Sequence, residues 1–123
     1  MIHIDLDEFC STNEQKPRLM KPFSYKNHTY ATDGCIVIRV ARRGDYSEDG
    51  LCELLFEQEE KKTGPRYTEN EIMPTEIGGI EFNPFHIALL RSLSNVRVWI
   101  HGEQSPAYFA FKGGDGFLMP VTK

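Results

Sequence analysis

The stretch that most restricts the fold runs from residue 95 to residue 121. NVRVWIH (95–101), PAYFAF (106–111) and GFLMPV (116–121) are three strand-like segments rich in β-branched and aromatic residues, with short Gly-containing turns between them. Connections that short join antiparallel neighbours, because a parallel pair needs a crossover of a dozen or more residues. KGGDG (112–116) lacks the Lys-Ser/Thr pair of a phosphate-binding loop and reads as a hairpin turn. Upstream, IGGIEF (77–82) reads as one further strand. Asn83 then stands where a helix N-cap belongs, with Pro84 at the first helical position, where its missing N–H is no loss. The helix PFHIALLRSL is apolar nearly all round and is expected to be mostly buried.

The first half repeats this plan. Ile2, Ile4 and Leu6 alternate with His3, Asp5 and Asp7, which reads as a short strand with one buried face. Residues 5–12 make one or two helical turns. RLMKPFSY (18–25) is a strand in which Pro22 marks an edge or a bulge. Lys26-Asn27 forms a tight turn into HTYAT (28–32), and Asp33-Gly34 forms the next, into CIVIRVAR (35–42). Residues 43–75 break the pattern. GDYSEDG is a loop, LCELLFEQEEKK places Leu51, Leu54, Leu55 and Gln58 on one helical face, and TGPRYTENEIMPTE is polar with two prolines. This segment is expected to be an elaborated, exposed connection. The whole reads as one α+β domain over 1–123: two β-α-β-β-β halves with an antiparallel sheet and two packed helices.

Composition narrows the function. A net charge of −4 over 123 residues does not advertise wholesale nucleic-acid binding. Three widely spaced cysteines (Cys10, Cys35, Cys52) without a C-x-x-C fit a reducing compartment better than a disulfide framework. No apolar run approaches a bilayer span and no signal peptide is evident, so the expected location is cytoplasmic. His3, His28, His86 and His101 lack ligand spacing, no serine is framed as a nucleophile elbow, and neither a metal nor a cofactor is expected. An enzyme using Asp5 and Asp7 with a divalent ion is the alternative. Two-metal phosphoryl transfer needs further carboxylates on the same ions.

Two stretches resemble a known family. YATDGCIVIRVA (30–41) is similar to the ATDG hairpin of the bacterial DNA sliding clamp, the β subunit of DNA polymerase III, and residues 80–121 resemble that clamp's last strand-helix-three-strand half, with its Met-Pro near the end. The resemblance implies a single, non-enzymatic clamp-type domain serving DNA replication or repair, and its size suits a phage or prophage gene. It implies a cleft for a short peptide of a replication or repair protein. One wall would be Thr32, Gly34, Cys35, Ile36 and Val37, and the other Met119, Pro120 and Val121. The walls could meet within one subunit, between two, or not at all, and a ring would require a homo-oligomer. His86 and Arg91 on the second helix would face DNA, in sequence-independent phosphate contacts. The chain departs from the family in having Cys35-Ile36 where His-Arg usually follows the turn, and Val121-Thr122-Lys123 where a basic residue and a final Leu usually follow Met-Pro. The third alternative is a structural or interaction protein that keeps the fold without encircling DNA.

Overall fold

Alternating side chains and tight turns build most of this molecule. The computed structural model describes residues 5–44, 46–51, 68–100 and 106–121. Strands β1 (Phe23–Tyr25), β2 (His28–Thr32) and β3 (Ile36–Ala41) form one meander. Strands β7 (Arg97–Ile100), β8 (Ala107–Phe111) and β9 (Gly114–Leu118) form a second. The two meet where β3 pairs antiparallel with β9, Ile36 opposite Leu118 and Val40 opposite Gly114. With β4 (Thr68–Asn70) on the far edge, this gives one seven-stranded sheet in the order β1-β2-β3-β9-β8-β7-β4, antiparallel at every step.

Helical segments cover one face of this sheet. A 3-10 segment, Leu6–Phe9, sends Leu6 and Phe9 inward, and the helix α1 (Pro84–Arg91) buries His86, Ile87, Leu89 and Leu90. Both pack on a row running across the strands through Ala31, Ile38, Phe109 and Val98. The opposite face holds a smaller cluster of Phe23, Tyr30, Val37 and Phe117, flanked by Tyr25 and Tyr108. On that same face Arg39 makes a two-pronged bond to Asp115, at 2.7 and 3.0 Å.

The expected α+β class therefore holds, with corrections. Among the described residues there is one α-helix, not two packed helices: the first helical segment is four residues of 3-10 helix. Its end has a local cause. Ser11 Oγ and Asn13 Oδ1 accept the amides of Asn13 and Gln15, an arrangement that competes with helix continuation. IGGIEF is not one strand. Gly78 and Gly79 take φ of 60° and 79° and fold β5 (Glu76–Ile77) back on β6 (Ile80–Glu81) as a separate hairpin. The strand expected over 18–25 shortens to β1, because Pro17 opens a second 3-10 turn (Pro17–Leu19) and Pro22 has no amide to give a ladder. The segment 43–75 is more than a connection, since β4 completes the main sheet against β7. The expected strand at 2–6 is helical at Leu6 and otherwise falls, with all but Leu51 of the helical face read at 51–58, largely outside the described residues.

Candidate peptide-binding surface

The Asp-Gly turn between β2 and β3 is built by its own side chains. Thr32 Oγ1 donates to the Ile36 carbonyl at 2.7 Å and accepts the Gly34 amide at 3.0 Å. Asp33 Oδ1 accepts the amides of Cys35 and Ile36, at 2.8 and 3.0 Å. Gly34 takes φ +100°, a conformation side chains disfavour, and a Cβ there would meet Leu19 Cδ1 and Lys16 Nζ at 3.6 Å. The turn is thus fixed in shape before any partner arrives.

The Met-Pro tail reaches the same place. The Met119 amide donates to the Cys35 carbonyl at 2.8 Å, and the Val121 amide to the Glu81 carbonyl at 3.0 Å. The tail is laid between the turn and the strand leading into α1. The eight residues assigned to the two walls fare differently. Cys35, Met119 and Val121 are exposed, as is Gly34, while Thr32, Ile36, Val37 and Pro120 are buried. Adjacent strand residues point to opposite faces. Ile36 accordingly joins the main core and Val37 the smaller cluster with Phe117, so neither side chain reaches a shared surface.

The helix supplies the rest. His86, expected to face DNA, is only 5 % exposed and bonds Asp33 Oδ2 through Nε2 at 2.6 Å, so it has no route to a phosphate. Its place was readable: His86, Leu89, Leu90 and Leu93 lie at helical spacing on one stripe, and all four are buried. Arg91 is exposed in the last turn of α1. Phe85, in a helix expected to be mostly buried, is 62 % exposed, more than any other large apolar side chain described. It borders an open groove of about 640 Å³ together with Asp7, Glu8, Cys10, Asp33 and Leu89.

The electrostatics of this groove are negative. Burial, reinforced by the Asp7, Asp33 and Asp5 carboxylates, pushes the Cys10 thiol up to about 11, so it is no ready nucleophile. Burial also pushes the Asp33 carboxyl up, but the bonds from His86, Cys35 and Ile36 outweigh it and leave that group below its ordinary value. Asp5 Oδ1 accepts the Asp7 amide at 3.0 Å and caps the 3-10 segment. Among the described residues no three His, Cys, Asp or Glu side chains are grouped to hold a metal ion, and no helix is long and apolar enough to cross a membrane. Comparison of the chain with protein-family models, with curated proteins and with solved structures gave no match.

Proposed function

We propose that this protein is a non-enzymatic, clamp-like domain that takes a short linear peptide from a replication or repair protein at the Asp-Gly turn and Met-Pro tail. One observation carries the reading. Two motifs far apart in the sequence, singled out by resemblance, adjoin within one subunit through the Met119–Cys35 backbone bond, with Cys35, Met119 and Val121 open to solvent. An exposed thioether is an adaptable lining for an apolar peptide side chain. The arrangement of the sheet is compatible with the reading too. Two three-stranded meanders, each preceded by a helical segment, join about an antiparallel seam, which echoes two halves of the β-α-β-β-β kind.

DNA encirclement is the weaker part. With His86 buried, Arg91 alone of the two assigned residues could reach a phosphate. This favours an interaction domain that binds a partner without enclosing DNA; on the resemblance alone, its setting would be the cytoplasm of a phage-infected or prophage-bearing cell. Fluorescence anisotropy with a labelled clamp-binding peptide tests it. Saturable binding is expected, and Met119→Asp should weaken it at least roughly tenfold by placing a charge in the apolar contact. Absence of binding by the wild-type chain at millimolar concentration sinks the proposal. A ring-sized homo-oligomer in light scattering would restore DNA encirclement, whereas a monomer leaves the peptide surface alone.

A further inference from the structure

A histidine among leucines must find a hydrogen-bond partner, because burying a polar group unpaired is costly. His86 finds it 53 residues away in the chain, at Asp33 Oδ2. The same carboxylate holds the backbone of its own turn through Oδ1, which accepts Cys35 N and Ile36 N. Cys35 in turn receives the Met119 amide. One continuous line of bonds therefore runs from the core face of α1, through a single carboxylate, to the residue at the centre of the proposed peptide surface. Beside this line lies Cys10. It borders the same groove as Asp33 and donates its thiol to the Leu6 carbonyl at 3.5 Å.

We infer that the Asp33–His86 contact is a clasp, with His86 acting as a positioning residue that holds the Asp-Gly turn where the Met-Pro tail can meet it and keeps Cys10 half-buried. For peptide binding the inference rests on the function proposed above; for the cover over Cys10 it does not. Removing the imidazole leaves Asp33 with an oxygen that only water can satisfy, and the turn is then free to swing outward. Among the described residues, the charged and titratable groups around the pair are Asp5, Asp7, Glu8 and Cys10 from the 3-10 segment and its flanks, and Lys16, whose Nζ lies near Gly34. Of these only Lys16 is cationic, and it lies on the exposed side of the turn, so among the described residues no second group replaces the imidazole as a buried donor.

The experiment measures alkylation of Cys10 and Cys35 separately, by mass spectrometry at mildly alkaline pH, together with affinity for the clamp-binding peptide. In the wild type Cys35, which is exposed, should react quickly and Cys10 slowly. His86→Leu keeps the volume and loses the donor. It should speed Cys10 at least about tenfold, because uncovering restores thiolate, and weaken the peptide about tenfold. His86→Gln, whose amide can still donate to Asp33, should bring both back toward wild type, which a role in packing alone would not require. Wild-type Cys10 rates in folded His86→Leu overturn the clasp. If the wild-type chain binds no peptide, the functional reading fails while the Cys10 rates still decide the clasp. Should His86→Leu not fold, hydrogen exchange on the wild type decides. The Cys35 and Ile36 amides and the His86 Nε2 proton should lose protection together as pH falls and Asp33 protonates, with β8 amides still protected. Loss of all of them only with the whole sheet overturns the inference.

Discussion

A methyl group on Gly116 would stand 2.1 Å from the Val37 carbonyl oxygen and 2.4 Å from Cζ of Phe109. Gly116 faces Ile38 on one side and Phe109 on the other, so the Phe109 ring lies across the space a side chain would fill. Gly116→Ala is therefore expected to destabilise the protein by at least about 2 kcal/mol, measured by urea unfolding, because an overpacked site must shift backbone as well as ring. Trimming the ring in Gly116→Ala/Phe109→Leu should recover only part of this, since the carbonyl contact remains. The sequence announced that glycines were needed in KGGDG, but as turn residues. Only the register, which sets Phe109 opposite Gly116 and Phe111 opposite Gly114, shows that two of them are room for aromatic rings. His86 and Phe85 teach the complementary lesson. A polar residue lies inside and an apolar one outside, because helical spacing, not hydropathy taken singly, decides which face each occupies.

Elements with strong local signals match their reading closely. β2 spans His28–Thr32 as the alternation and flanking turns indicate, and Asn83 caps α1 by accepting the Phe85 amide at 2.9 Å, with Pro84 following. Asn83→Ala should lower stability by about 1 kcal/mol in thermal or urea unfolding while leaving the fold intact, and Asn83→Ser should lose little. Elements that depend on distant partners were not legible. The two-residue strands β5 and β6 are too short to show alternation, and by local pattern alone the Gly-Gly between them reads as part of one strand. β4 is a strand because β7 presents an edge to it, and its sequence, Thr-Glu-Asn, has little apolar content of its own. The candidate site divides the same way. The turn and tail were each visible as motifs, whereas the bonds that join them to each other and to α1 are long-range contacts that no local pattern encodes.

Across the whole molecule, the strand order β1-β2-β3-β9-β8-β7 reads nearly as its own mirror, and its centre is the pairing of β3 with β9. Each meander is local, built from hairpins whose strands are close in sequence. The seam between them is not. A chain cut after Phe111 keeps every described strand except β9, yet β3 and β8 both lose the partner that joins them, and the apolar edge of β3 is bared. Such a chain should fail to fold and should self-associate through that edge, seen as scattering at concentrations where the full chain gives none. Because Ile36 waits for Leu118, the sheet closes only after nearly all of the described chain has been made. Residues near the beginning must stay out of trouble during synthesis while their partner strand is still inside the ribosome. Distant pairing of this kind slows folding, so the seam that gives the mature protein its continuous core also sets how long the nascent one carries an unpaired strand edge.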